Sequence, residues 1–292
     1  MMKRTTSYTI ILSDAFEWLA ERRANSIHAV ITDPPFGLVE FTLKELTKRK
    51  VGTGIWRLPQ RFDGHDRQPM PRFTVLKPAD HRRIREFHNN LSVLLFKVLV
   101  PGGHAVIASQ NLLSHFVMSA FYDAGFEMRG QIARIVKTLR GGDRPKGAHN
   151  IYREISVTPR TCWEPWLIFR KPCEGRVKDN LERWFTGGFR RPEENMPFND
   201  LILSSPARPP EKDFAPHPSL KPQAFMRQLV RSVLPLGRGV VLDPFMGSGS
   251  TIAAAEFCGY KSIGLENNAE YFRMAKRAIP KLIGFKNGNG RS

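Results

Sequence analysis

Cysteine is scarce in this chain of 292 residues, and long apolar runs are missing from it. The three cysteines, Cys162, Cys173 and Cys258, cannot all pair with one another and form no Cys-x-x-Cys motif, which is typical of a reducing compartment and indicates no zinc site. No stretch reaches the ~18 apolar residues of a membrane-spanning helix. The residues from Met1 to Thr6 lead into no apolar segment with a cleavage site, so we expect a cytoplasmic protein with no membrane partner.

Acidic residues are also few compared with basic ones. Lys and Arg number 45 against 27 Asp and Glu, which gives a formal charge of +18. An excess of this size attracts phosphate groups over a Debye length or more, so nucleic acid is the leading candidate partner. The alternative, a soluble basic protein without a polyanionic partner, stays open on charge alone.

Strand-like and helical patterns alternate along most of the chain. Apolar runs predict strands at 8–12, 28–32, 104–108, 130–137, 163–170, 239–243 and 261–265. The helical spacing of apolar residues predicts helices at about 15–23, 80–100, 111–123, 221–234, 250–258 and 268–279. Strands that alternate with helices indicate an α/β fold, in which helices cover both faces of a mainly parallel sheet.

A glycine-rich turn follows the predicted strand that ends at Asp243. In Val-Val-Leu-Asp-Pro-Phe-Met-Gly-Ser-Gly-Ser-Thr, residues 240–251, the glycines let the backbone approach a ligand and the next helix directs free N–H groups at it. Glu266 follows the next predicted strand, near where doubly wound folds place an acid for ribose hydroxyls. The alternative, a tight turn with Glu266 as a helix cap, stays open.

The residues around this turn discriminate between ligands. A P-loop needs a lysine before Ser250, and none is there, so NTP hydrolysis is disfavoured. Asp243 directly before the turn would repel a pyrophosphate, which disfavours a dinucleotide. Acids at both strand ends suit a cofactor with hydroxyls and positive charge, and S-adenosylmethionine has a ribose, an ammonium group and a sulfonium.

The segment Asp33-Pro-Pro-Phe36 ends another predicted strand. Its carboxylate and a proline-fixed carbonyl can both accept hydrogen bonds from one exocyclic NH2 group, while the aromatic ring stacks on the base. The alternative is that the prolines only terminate the strand, since proline lacks an N–H group and favours an extended residue before it.

Together these residues resemble the amino-methylating DNA methyltransferases that act on adenine N6 or cytosine N4, in the permuted (beta-type) subgroup whose D-P-P-[YF] motif precedes the cofactor motif. The resemblance implies a doubly wound, mostly parallel seven-stranded sheet with an antiparallel hairpin, with 240–243 central, 263–266 and 10–12 to one side and 29–32 to the other. It implies catalytic roles for Asp33, Pro34, Pro35 and Phe36. The residues that it implies for binding S-adenosyl-L-methionine are Asp14, Lys221, Asp243, Pro244, Phe245, Gly247, Ser248, Gly249, Ser250, Thr251, Glu266 and Asn267.

The same resemblance organises the chain into segments. A catalytic domain begins at 1–37, continues at 81–170 and ends with a cofactor-binding part at 217–284. A basic insertion or loop is predicted at 38–80, a target-recognition segment at 171–216 and a tail at 285–292. The implied activity is site-specific methylation of adenine N6 on a flipped-out base in DNA. Cytosine N4, RNA, or a catalytically inactive DNA-binding protein are the alternatives, and a homodimer and a cognate restriction endonuclease are partners that stay open.

The distribution of basic and acidic residues along the chain indicates which segments contact DNA. Residues 40–90 hold twelve basic and six acidic side chains, whereas 171–216 hold eight of each. We therefore expect phosphate contacts from Lys48, Arg49, Lys50, Arg57, Arg140, Arg144 and Lys146. Base reading is predicted for Trp184, Phe185, Arg190 and Arg191. Solvated charges without a DNA role are the alternative for both groups.

Overall fold

The structure, a computed structural model, describes residues 7–35, 47, 76–140, 144–145, 147–217 and 219–285, with residues 137–140 described by their backbone. Several predictions therefore lie outside the described residues. They concern Phe36, Lys48, Arg49, Lys50, Arg57, Lys146, the side chain of Arg140, most of the insertion at 38–80 and the tail after 285.

Strands and helices alternate within the described ranges. The strands are β1 (Tyr8–Leu12), β2 (Ile27–Thr32), β3 (Leu99–Ala108), β4 (Glu127–Arg140), β5 (Thr161–Arg170), β6 (Leu201–Leu203), β7 (Val240–Asp243) and β8 (Lys261–Glu266). The helices are α1 (Ala15–Glu21), α2 (Pro78–Val98), α3 (Ser114–Asp123), α4 (Val177–Trp184), α5 (Pro209–Phe214), α6 (Gln223–Val233), α7 (Ser250–Phe257) and α8 (Ala269–Gly284).

The described strands form one sheet in the order β1-β8-β7-β2-β3-β5-β4-β6. All neighbours are parallel except β5, which runs antiparallel to both β3 and β4. The predicted α/β class, the antiparallel hairpin and the central position of β7 between β8 and β2 are confirmed. The predicted number of seven strands is wrong, because β6 adds a short eighth strand beside β4.

The segment 171–216 holds more regular structure than its sequence indicated. It contains α4, β6 and α5, which have eight, three and six residues. Elements of this length span at most about two helical turns, so their apolar residues show no clear period. The strand predicted to begin at 104 begins at Leu99 instead, and Pro101 accepts side-chain hydrogen bonds from Asn180 and Thr186 there.

Helices cover both faces of the sheet. On one face α1, α2 and α3 bury Leu19, Leu95 and Phe121 against the strands. On the other face α6 and α7 bury Phe225 and Ala254. Burial on both faces explains why the central strands read as continuous apolar runs. In the part of the chain that the structure describes, no helix combines the length and apolar character needed to span a membrane.

Candidate active site

The two predicted motifs meet because β2 and β7 are parallel neighbours. Ala29 lies beside Val241, and Val30 lies beside Leu242. The carboxyl ends of both strands therefore reach the same edge of the sheet, where open α/β sheets bind ligands. There the hydroxyl of Thr32 donates a hydrogen bond of 2.7 Å to Oδ1 of Asp243, across 211 positions of sequence. Asp33 follows Thr32 directly, so the two predicted acids share this edge.

Asp243 is a buried acid, with 3% of its surface exposed. Its Oδ1 also accepts the backbone N–H of Phe245 at 3.1 Å. Burial raises the pKa of Asp243 to about 6, and the nearby charge of Asp33 adds to that effect, although hydrogen bonds from Thr251, Thr32 and Phe245 oppose it. A buried carboxylate in this state is stabilised by a cationic ligand, since the opposite charge favours the ionised form.

The glycine turn after β7 adopts the conformation that its glycines permit. Gly247 and Gly249 have φ values of +51° and +86°, in the left-handed region. A Cβ atom at Gly247 would lie 3.0 Å from Cε1 of His217, and one at Gly249 would lie 2.5 Å from Cγ1 of Ile279. The turn leads into the amino end of α7, where Ser250 and Thr251 are buried. The backbone is thus close-packed on the side of His217 and α8.

Glu266, at the end of β8, holds the turn from the other side. Its Oε2 accepts the N–H of Gly247 at 3.0 Å, and its Oε1 accepts the N–H of Asn268 at 2.8 Å. The residue that caps α8 is Asn268, whose side chain accepts from Glu270 and Tyr271. Each carboxylate oxygen of Glu266 keeps a second lone pair that a hydroxyl group can use. Asn267, which lies between Glu266 and Asn268 in the sequence, is exposed.

Aromatic rings lie beside the glycine turn. The ring centroids of Phe245 and Phe16 are 6.3 Å apart, those of Phe245 and Phe87 are 5.9 Å apart, and those of Phe16 and Phe87 are 5.3 Å apart. Asp14, next to this cluster, accepts the N–H groups of Phe16 and Glu17 and so caps α1. Sequence reasoning missed Phe16 and Phe87, because they lie on two different helices and no motif marks them.

Lys221 lies against the predicted catalytic acid. Its Nζ donates to Oδ2 of Asp33 at 2.5 Å and lies 3.9 Å from Oε1 of Glu164. Burial opposes the charged form, but the carboxylates of Asp33 and Glu164 outweigh it and raise the pKa of Lys221. Lys221 is therefore an ammonium group shared between two acids. Of the two prolines predicted to be catalytic, Pro34 is buried and Pro35 is exposed.

Glu164 and Arg134 belong to the same edge, and sequence reasoning missed both. They stand opposite each other on β5 and β4, and Nη1 of Arg134 lies 3.1 Å from Oε1 of Glu164. Trp166 donates its indole N–H to the same oxygen at 2.8 Å. Burial raises the pKa of Glu164, but Lys221, Arg134 and the Trp166 hydrogen bond outweigh it and lower the pKa to about 2.

The residues predicted to read bases lie at the opposite edge of the sheet. Arg190 donates to the hydroxyl of Tyr260, which directly precedes β8. The guanidinium of Arg238, just before β7, lies 3.5 Å from the ring centroid of Phe185. The amino ends of the parallel strands are at this edge, so the structure does not bring Trp184, Phe185, Arg190 and Arg191 together with Asp33. Arg144, by contrast, is exposed in the β4–β5 connection, at the edge that carries Asp33.

Comparisons with known proteins support the fold. The chain is 24% identical over 294 residues to the type II methyltransferase M.HindIII of Haemophilus influenzae, over 90% of this chain and 92% of that protein. Its fold is similar to that of TTHA0409 from Thermus thermophilus, solved in complex with S-adenosyl-L-methionine, with a TM-score of 0.59, 20% identity and coverage of 95% and 96%. It is also similar to the cytosine-N4-specific PvuII DNA methyltransferase, with a TM-score of 0.59, 15% identity and coverage of 98% and 89%.

A family model completes the comparison. The N6_N4_Mtase model, which describes DNA methylases, matches residues 27–277. This range starts at β2 and includes Asp33, Asp243 and Glu266, so the match contains both motifs of the candidate site. Since it covers well over half of the chain, the protein belongs to the N6_N4_Mtase family of DNA methylases.

Proposed function

We propose that this DNA methylase transfers the methyl group of S-adenosyl-L-methionine to N6 of an adenine base in DNA. The observation that carries the proposal is the meeting of Asp33 and Asp243 at the ends of two paired parallel strands. One acid lies in the motif suited to an amino group, and the other begins the turn suited to a cofactor. Methyl transfer requires both ligands at one place, and this edge of the sheet provides it.

The residues at the turn fit S-adenosylmethionine. Asp243 is buried with a raised pKa, so a cation beside it would stabilise its ionised form. Glu266 has lone pairs for ribose hydroxyls, and the ring cluster of Phe245, Phe16 and Phe87 offers apolar surface to a purine. When bound, the cofactor supplies an activated methyl group on a sulfonium. Support also comes from TTHA0409, which is known in complex with this cofactor.

Asp33 and Pro34 supply the chemistry on the amine side. An exocyclic amine is a poor nucleophile because its lone pair is delocalised into the ring. We infer that the Asp33 carboxylate and the Pro34 carbonyl accept its two N–H groups and localise that lone pair on nitrogen. The nitrogen would then form its bond to the methyl carbon as the bond from that carbon to sulfur breaks, with the electron pair left on sulfur as a neutral thioether. The proton that the nitrogen loses would pass to water, and no covalent enzyme intermediate is needed. Positioning the two reactants can supply ~7 kcal/mol or more of the reduction in barrier.

The base must leave the helix to reach this edge. Unstacking costs a few kcal/mol, and Phe36, next to the prolines in sequence, is the side chain that we assign to stack on the flipped base. We call the Asp33 carboxylate and the Pro34 carbonyl the amine clamp. These two groups do not by themselves distinguish adenine from cytosine, since both bases present an NH2 group. The resemblance to the amino-methylating DNA methyltransferases implies a preference for adenine, because family usage of D-P-P-F leans toward that base without excluding cytosine. Cytosine N4 is the alternative, and the PvuII methyltransferase, which is similar in fold, is specific for it.

We assign DNA contact to the connection between β4 and β5. This connection leaves the sheet at the edge of Asp33, and it holds the exposed basic side chains Arg144 and Arg153. Ile151 and Tyr152 in the same stretch are 75% and 53% exposed. Basic side chains neutralise phosphates, and large apolar side chains beside them can contact bases once these leave the stack.

The test is transfer of a labelled methyl group to DNA, followed by digestion and separation of the nucleosides. We expect label in N6-methyladenine. Label in N4-methylcytosine would support methyl transfer to an exocyclic amine but would show that the target base is cytosine and not adenine. Label in RNA only would change the substrate class. The absence of label from every nucleic acid offered, with S-adenosylmethionine bound normally in calorimetry, would contradict the proposal.

A further inference from the structure

We propose that Glu164 and Arg134 are positioning residues for methyl transfer, which act by holding Lys221 on one oxygen of the Asp33 carboxylate and so leave the other oxygen for the target amine. This inference rests on the proposed function. It adds two residues that neither motif contains, and it gives Lys221 a role on the amine side of the site as well as on the cofactor side.

The contacts form a continuous chain of charges. Lys221 donates to Oδ2 of Asp33, and its Nζ lies 3.9 Å from Oε1 of Glu164. That same oxygen lies 3.1 Å from Nη1 of Arg134 and accepts the indole N–H of Trp166. The four charged groups come from four places: the loop after β2, the segment before α6, and the facing strands β5 and β4.

Arg134 is itself fixed on its other side. Its Nε donates to the hydroxyl of Ser204 at 3.0 Å, and its Nη2 donates to the carbonyl of Ser205 at 3.1 Å. Its side chain is 5% exposed, and its guanidinium lies 5.0 Å from the ring centroid of Phe225. A planar guanidinium bonded in this way holds Glu164 in one orientation. The segment that follows β6 is therefore tied to the same ion pair.

Lys221 needs such support to occupy a single place. A lysine has a flexible four-carbon stem and a point charge, so a single carboxylate partner would not fix its position. Glu164 supplies a second anion on the far side of the ammonium group. Lys221 then fixes the rotamer of the Asp33 carboxylate through the hydrogen bond to Oδ2. Among the described residues, Lys221 is the donor found at the Asp33 carboxylate, and it occupies Oδ2.

The balance of charge at the edge supports this role. Asp33 and Glu164 both contact Lys221, Glu164 also contacts Arg134, and Asp243 adds a third acid whose pKa the charge of Asp33 raises. If Glu164 and Arg134 served only the stability of the fold, their ion pair would not need to connect through Lys221 to Asp33 of the Asp-Pro-Pro motif. Here the chain of contacts ends on Asp33, so its geometry bears directly on the group that is to receive the amine.

The decisive variant is Glu164→Gln, assayed by steady-state kinetics with DNA and S-adenosylmethionine. Glutamine keeps an oxygen for Trp166 and removes the negative charge, so the fold should persist. We expect kcat to fall by about tenfold or more, while KM for the cofactor changes by less than about threefold. Glu164→Asp restores the charge on a shorter stem and should recover part of kcat.

A matched control is available on the same two strands. Glu127 and Arg170 also form a cross-strand ion pair between β4 and β5, with Nη2 of Arg170 2.6 Å from Oε2 of Glu127, but at the opposite edge of the sheet. Glu127→Gln should leave kcat unchanged within about twofold. Equal losses of kcat in Glu164→Gln and Glu127→Gln would overturn the proposal, because both would then report general stability.

A double-mutant cycle tests whether Glu164 acts through Lys221. In a Lys221→Gln background, Glu164→Gln should cost little further activity, whereas independent roles would multiply the two losses. Multiplied losses, or a wild-type kcat in Glu164→Gln, would refute the inference while the wild-type protein still methylates DNA. If the wild-type protein transfers no methyl group to DNA at all, the proposed function itself has failed. Should Glu164→Gln not fold, Arg134→Lys provides the same comparison with the charge retained.

Discussion

Nζ of Lys221 lies 2.5 Å from Oδ2 of Asp33, although the two residues are 188 positions apart in the chain. Lys221 belongs to the segment before α6, and Asp33 belongs to the loop after β2. This contact joins the part of the chain that we assign to the cofactor to the motif that we assign to the amine. Because the ammonium group of Lys221 contacts the carboxylate of Asp33, a change of charge at either residue alters the electrostatic environment of the other.

Replacing Asp33 tests the amine clamp. We expect Asp33→Ala to abolish methyl transfer, because no carboxylate would remain to accept a hydrogen bond from the target amine. The affinity for S-adenosylmethionine, measured by calorimetry, should stay within a few fold of the wild-type value. Asp123→Ala, on the exposed end of α3, is the control and should keep full activity. Retained turnover in Asp33→Ala would remove Asp33 from the mechanism.

Replacing Asp243 should have opposite effects on stability and on binding. Its pKa is raised from 3.8 to about 6, so its contribution to stability is present below pH 3.8 and is lost as the pH rises through about 6. At pH 8, Asp243→Asn should therefore raise the Tm of the ligand-free protein, since a buried charge is gone. The further rise in Tm that S-adenosylmethionine causes in the wild-type protein should disappear.

Thermal unfolding with and without the cofactor measures both effects. The expected result is that Asp243→Asn has a higher Tm than the wild-type protein without cofactor and gains no further Tm when the cofactor is added. A variant that is less stable alone and still stabilised by the cofactor would mean that Asp243 serves the fold and not the ligand. In the wild-type protein, cofactor binding should weaken as the pH falls below about 6, because protonation would remove the negative charge of Asp243 that we assign to the cationic groups of the cofactor.

The glycine turn offers a test of steric fit. Gly249→Ala combines a φ of +86° with a Cβ atom 2.5 Å from Ile279, whereas Gly259→Ala has a φ of +76° and no atom within 4 Å. The left-handed conformation alone costs about 1 kcal/mol for alanine. We expect Gly249→Ala to lower the free energy of unfolding by more than Gly259→Ala does, in urea titrations. Equal losses would show that α8 moves aside freely.

The salt dependence of DNA binding tests the phosphate contacts. Replacing Arg140, Arg144 and Lys146 with glutamine should lower the slope of log K against log salt by roughly 0.9 for each phosphate that is no longer neutralised. Replacing Arg190 and Arg191, which lie at the amino ends of the parallel strands, is the matched change and should leave the slope as it was. If the second variant loses slope and the first does not, DNA lies at the edge opposite to Asp33.

The sequence by itself determined the local features of this protein. Apolar periods located the long helices and most of the strands, because each pattern repeats over many residues and depends on burial alone. The glycine turn and the Asp-Pro-Pro stretch were also readable, since turn chemistry is set by adjacent residues. The α/β class and the position of β7 beside β2 followed from these features and the family resemblance, and the sheet confirms them.

Only the tertiary structure decided which side chains meet. The register between β4 and β5 sets Arg134 opposite Glu164, and no local pattern specifies that register. The contact of Lys221 with Asp33 depends on how the segment before α6 crosses the edge of the sheet, which is a matter of packing between distant parts of the chain. The short elements in 171–216 were missed for the same reason: their positions are fixed by contacts such as Asn180 on Pro101 and not by their own periodicity.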